Sequence, residues 1–123
     1  MKINWGANKP KWTENFIEAV NFACAELGLD ACSIIIHFEF LALSNGFIHY
    51  GYFLHKQNKP VKIVIDKSHS EAIVIATVIH ELVHWKQCLN GTLGNNNSIN
   101  EPHEIEARTL EKTLFKKFNE KSV

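Results

Sequence analysis

Five consecutive residues, His80-Glu81-Leu82-Val83-His84, carry the strongest chemical signal in the chain. Four residues make about one helical turn, so on a helix both imidazoles project from the same face. Two imidazole nitrogens so placed can hold one Zn²⁺ ion at ~2.0–2.1 Å each. Glu81 lies beside that face, within reach of a water on the ion rather than of the ion itself, which is the place of a general base. The alternative is a pair of hydrogen-bonded structural histidines. It is the weaker reading, because two imidazoles and a carboxylate on an apolar helix are costly to desolvate without a ligand in common.

A zinc centre of this kind takes a third protein ligand and leaves a fourth position for water. Three candidates stand together downstream: His103, Glu104 and Glu106. Glu104 and Glu106 are about 200° apart around a helix, so one ion does not take both. His103 belongs beside the site or on the surface. Cys88, one turn past His84, reads as an inert buried thiol in preference to a further ligand. Thr77, Trp85 and the Phe-rich segments read as packing residues. His37, His49, His55 and His69 are scattered and read as strand or surface histidines. Tyr50 and Tyr52 are candidates, with His103 and Arg108, for polarising a carbonyl at the centre.

These side chains need elements to hold them. Residues 13–27 place Phe16, Ile17, Val20, Ala23 and Leu27 at helical spacing, with Thr13 to cap the start and Gly28 to end it. Residues 33–43 and 47–54 are rich in Ile and aromatics. The Asn45-Gly46 dipeptide between them predicts a tight antiparallel hairpin. Residues 61–66 follow Pro60 and read as a third strand. Ser68 and Glu71 form a capping box for a helix that runs to Asn90, with Gly91 just past its end. The first half of that helix is apolar on nearly every face, so it is expected to be buried. Residues 91–100 read as a loop. Asn100 is the candidate cap of a last helix over 101–118, with Pro102 in its first turn and Ala107, Leu110, Leu114 and Phe118 along its apolar stripe.

The whole chain bounds what such a site can serve. Its 123 residues predict one domain, 1–123. Thirteen basic and thirteen acidic side chains give zero net charge, which disfavours nucleic acid or an anionic membrane as partner. The longest apolar run, residues 72–79, is far short of the ~18 residues that span a bilayer. No secretory signal is visible at the start. Cys24, Cys32 and Cys88 make an odd number without a close pair and read as buried free thiols in a reducing compartment. A cytoplasmic location is the expectation.

His80 to His84, followed by the loop and by Glu104-Ile105-Glu106-Ala107, resembles the gluzincin branch of the zincin metallopeptidases. It is similar in particular to small SprT-like or phage and bacterial minimal metallopeptidases. The likeness covers roughly residues 61–110. In that family the third ligand is a Glu on a second helix, followed after two residues by a small side chain. Glu104, twenty residues after His84, matches that frame with Ala107. One position departs from it: Arg108 stands where many relatives carry an acid that orients a histidine ligand. Four residues after Glu104, Arg108 is placed to pair with that carboxylate or to form a solvated surface ion pair.

The resemblance implies a zincin-like α+β fold: an N-terminal helix, a three-stranded and mostly antiparallel sheet, the helix of His80 and His84, and a C-terminal helix with the third ligand. It implies one Zn²⁺ per chain on His80, His84 and Glu104, with Glu81 as general base of a peptidase. The substrate would be a peptide or protein, laid along an edge strand near the active helix. The rival expectation is a catalytically inactive zinc-binding module of the same fold that acts through a partner protein. A third is a structural protein whose histidines hold no metal.

Overall fold

The protein is described here from a computed structural model, over residues 1–6, 9–39, 50–56, 60–94 and 100–121. The elements in chain order are β1 (Lys2–Asn4), α1 (Thr13–Leu27), a 3-10 turn (Ala31–Ser33), β2 (Ile34–Glu39), β3 (Gly51–Leu54), β4 (Val61–Asp66), α2 (Glu71–Asn90) and α3 (Pro102–Lys121). The described residues thus form a small α+β structure of three helices and a four-stranded mixed sheet.

The sheet departs from the expected three-stranded, mostly antiparallel arrangement in number, order and direction. Its order is β1-β2-β4-β3. The β1–β2 and β2–β4 pairs are parallel, and only β3–β4 is antiparallel. The strands on either side of Asn45-Gly46 therefore do not form a hairpin with each other, since β4 lies between them. The dipeptide itself falls outside the described residues, as does His49. Burial explains the order. Ile34, Ile36 and Phe38 of β2, and Val61, Ile63, Val64 and Ile65 of β4, are all buried, as suits central strands. In β3, Tyr52 and Leu54 are exposed, as suits an edge. The strand missed altogether, β1, has only three residues and no periodicity to read.

The core lies between one face of the sheet and the helices. Phe16, Ala19, Val20 and Ala23 of α1 meet the inward residues of β2 and β4, and Val74, Val78, Ile79 and Leu82 of α2. Leu114 and Phe118 bring α3 onto the same core. The helix ends test the cap expectations. Gly28 and Gly91 close α1 and α2 at φ of 69° and 73°, the left-handed conformation glycine adopts without strain. The capping box is not formed. Ser70 is at the N-cap of α2, and the Ser68 hydroxyl and backbone N–H both donate to Asp66 Oδ1, at 2.8 and 3.0 Å. That local turn offers Ser68 a nearer acceptor than the helix does. Glu71 is left to accept from Asn15 Nδ2, which ties α2 to α1. Thr13 is the first residue of α1 rather than its cap, a position held by Trp12.

No described helix is long and apolar enough to cross a membrane. Cys24, Cys32 and Cys88 are free thiols, but of the three expected to be buried only Cys24 is: Cys88 is half-buried and Cys32, in the 3-10 turn, is exposed.

Candidate metal centre

Two helices packed face to face build the site. In α2, His80 and His84 are one turn apart, and the buried Val78, Ile79, Leu82 and Val83 around them anchor the helix in the core. In α3, Glu104, Ala107, Glu111, Leu114 and Phe118 recur at spacings of three and four, so they share a face. Ala107 on that face is completely buried, and its small side chain lets α3 lie close to α2 at this level.

The geometry converges on one point. His84 Nε2 is 3.0 Å from His80 Nε2 and 2.9 Å from Glu104 Oε1, and His80 Nε2 is 3.5 Å from Glu104 Oε2. Two donors bound at ~2.0–2.1 Å to one tetrahedral ion stand about 3.3 Å apart, and the three spacings straddle that value. His80, His84 and Glu104 form a group that could hold a metal ion, and no other His, Cys, Asp or Glu of the described residues joins it. Three protein donors leave a fourth position of a tetrahedral ion open.

The back of each ring shows how these atoms could receive a cation. His80 Nδ1 donates to Glu111 Oε1 at 3.0 Å. His84 Nδ1 donates to Gln87 Oε1 at 2.7 Å. The orientation of the Gln87 amide is settled by its other end, where Nε2 donates to His103 O and to Glu106 Oε1, each at 2.8 Å. With both Nδ1 protons so engaged, each neutral ring turns an Nε2 lone pair to the centre. Two lone pairs and a carboxylate then face one another at about hydrogen-bond distance with no donor between them. A proton or a metal ion relieves that repulsion, and the donor set of two imidazoles and a carboxylate suits first-row divalent ions.

Charge follows the same pattern. Burial opposes the charged form of His80, but its bond to Glu111 and the carboxylates of Glu81, Glu111 and Glu104 outweigh it and raise its pKa above the usual 6.5. Burial holds His84 below 6.5; His80 and His103 lower it further, against the pull of Gln87 and Glu104. Glu81 is 7% exposed. Burial pushes its carboxyl from 4.5 to about 7; His80 counters this, and Glu104 and Glu111 add to it. The carboxyl groups of Glu81, Glu104 and Glu111 together make an environment that favours positive charge.

The remaining candidates fall into place around this centre. Glu106 is not in the group, because its carboxylate is the acceptor of Gln87 Nε2. Cys88 packs against the core. Arg108 lies with Ile105, Thr109, Lys112 and Thr113 around a surface depression. The carboxylate that meets His80 Nδ1 is that of Glu111, one turn past Arg108 along α3. Phe53 of β3 stacks on His84 with ring centroids 6.3 Å apart. Strand alternation therefore turns Tyr52 to the opposite face of the sheet, away from the centre. Tyr50 packs at a tilt against His69, which lies 3.5 Å from Asp66. His55 packs on Trp85, and His37 lines a cleft beside β1. The Thr77 hydroxyl donates to the Ile73 carbonyl within α2, in keeping with a packing role.

Sequence reasoning missed Gln87 and Glu111. Gln87 carries a visible signal, since an amide three residues after a candidate ligand on the same helix can reach it. Glu111 carries none, because its bond to His80 spans 31 residues between two helices. Comparison of the chain with protein families, with curated proteins and with solved structures finds no match.

Proposed function

We propose that this chain is a zinc-dependent peptidase of the minimal gluzincin type, with a zincin-like arrangement of α2, α3 and the sheet edge. The observation that carries the reading is the meeting of three acceptor groups, His80, His84 and Glu104, beside the buried Glu81 carboxyl. His80, His84 and Glu104 would hold the ion, and Glu111 and Gln87 would fix the two rings from behind. Zinc bound there would supply Lewis acidity, drawing the pKa of a water down towards neutrality.

The chain's own groups do the rest. Glu81 takes the proton of the attacking water on a carboxylate oxygen and returns it to the departing amine. Its burial, which keeps its pKa near neutrality at about 7, suits a group that must accept and then release a proton. The outer edge of β3 lies on the same strand as Phe53, which stacks on His84. Among the described residues no strand pairs with that edge, which suits an extended peptide bound by strand addition.

The test compares the wild-type protein with Glu81→Gln, each loaded with zinc, on a peptide library. The expected result is retained zinc with hydrolysis reduced at least about a hundredfold. Equal cleavage by the two proteins would refute the mechanism. Stoichiometric zinc with no cleavage by the wild type would favour the inactive, partner-binding module.

A further inference from the structure

One buried side chain at the centre has no partner that its position explains. His103, at the start of α3, is 5% exposed. Its carbonyl accepts from Gln87, which fixes this turn of helix against α2. Its Nε2 is fully buried with no hydrogen-bond partner among the described residues. That nitrogen lies 3.9 Å from Glu104 Oε1, and the ring centroid is 5.9 Å from that of His84. Gly94 covers the opposite edge of the ring so closely that a Cβ there would lie 2.6 Å from His103 Nδ1. The ring is thus clamped from behind, with its free nitrogen beside a metal donor.

A buried, unmade hydrogen bond costs stability, and native structures retain few of them. A lone pair directed at the Glu104 carboxylate would be repelled, so the tautomer that fits is the one with hydrogen on Nε2. An N–H held here has no acceptor at bonding distance among the described residues. It has one as soon as an oxygen ligand occupies the position next to Glu104.

Resting on the reading that His80, His84 and Glu104 hold a divalent ion, we propose that His103 is a ligand-contacting residue of this centre, whose Nε2–H donates to an oxygen of a carbonyl, carboxylate or hydroxamate group bound beside Glu104. The ligand class is defined by that chemistry: carbonyl or anionic oxygen donors, in preference to amines or thiols. The clamp by Gly94 sets the direction of the N–H before the ligand arrives, so little ordering cost falls on binding.

The experiment uses the full chain loaded with Co²⁺ and titrated with acetohydroxamic acid, read by the visible absorption of the cobalt. Cobalt affinity is measured separately by competition with a chelator. His103→Phe fills the same space without an N–H, and His103→Gln keeps an N–H donor. We expect His103→Phe to bind cobalt as the wild type does and the hydroxamate about tenfold more weakly, the loss of one hydrogen bond. We expect His103→Gln to recover most of that loss. Unchanged hydroxamate affinity in His103→Phe would overturn the assignment. So would a tenfold or greater loss of cobalt affinity in either variant, which would make His103 a metal ligand or a structural residue. A wild-type chain that takes up no cobalt would remove the metal reading itself, and the assignment with it. Cobalt uptake without an effect of His103 removes the assignment alone.

Discussion

The bond between His80 and Glu111 gives the sharpest handle on how the centre is held. His80 Nδ1 and Glu111 Oε1 are 3.0 Å apart, and the Glu111 side chain is 25% exposed, so the pair is largely shielded from water. Removing an acceptor behind a metal-ligating histidine costs roughly 10–100-fold in metal affinity, which is about 1.4–2.7 kcal/mol. Part of that is the hydrogen bond and part is the charge, because a bond to an ionised acceptor is about twice as strong as a neutral one. The centre contains its own reference, since the equivalent acceptor behind His84 is the neutral amide of Gln87 at 2.7 Å. Glu111→Gln keeps an acceptor and loses the charge, so about half the free energy is expected to go, a fall in zinc affinity of roughly 3–10-fold. Glu111→Ala loses both, and the full 10–100-fold is expected. Competition with a chromophoric chelator at fixed pH measures each affinity, and circular dichroism checks that the fold is kept. Folded Glu111→Ala protein with wild-type zinc affinity would refute the claim that Glu111 orients His80.

Other consequences are open to measurement. Gln87→Leu loses the acceptor of His84 Nδ1 and the donor to His103 O and Glu106, and should lower stability by about 1–3 kcal/mol in urea denaturation. A stability equal to wild type would show that this amide does not tie α2 to α3. Gly51→Ala would place a Cβ 2.8 Å from both Thr77 Cγ2 and the Val64 carbonyl oxygen, where backbone must yield. It should cost about 1–3 kcal/mol, and a neutral effect would contradict the close contact of β3 with α2. Burial first, and Asp30 second, push the Cys24 thiol up to about 11, so at pH 8 only about one molecule in a thousand carries the thiolate. Exposed Cys32 should therefore be alkylated well before Cys24, with reaction at Cys24 rising as the pH is raised. Peptide mapping reads the order, and the reverse order would contradict the packing of α1.

The site was more legible in the sequence than the sheet was. His80 and His84 are related by one helical turn, and a relation that local survives any tertiary arrangement. Glu104 could be singled out only by resemblance, because nothing local separates it from Glu106. The structure separates them through Gln87, which engages Glu106 and leaves Glu104 facing the histidines. Glu111 could not be read at all, since its partner lies on another helix. The strand order failed for a related reason. Asn45-Gly46 is a good local turn signal, but which strands become neighbours depends on burial across the whole sheet. The apolar β2 and β4 take the centre, and β3, with Tyr52 and Leu54 exposed, is displaced to the edge. Ser68 shows the same competition at short range, where Asp66 captures the hydroxyl expected to cap α2.

The central claim is that His80, His84 and Glu104 together hold one divalent ion. Thermal unfolding of metal-stripped protein, with and without zinc, tests it most directly when paired with elemental analysis of the zinc-loaded chain. One zinc per chain is predicted, and zinc at a hundred times its Kd should add about 2.7 kcal/mol, a rise in melting temperature of roughly 10 °C. Both effects should vanish when His80, His84 and Glu104 are all replaced by alanine. A wild-type protein that binds no zinc and melts at the same temperature with and without it would contradict the account.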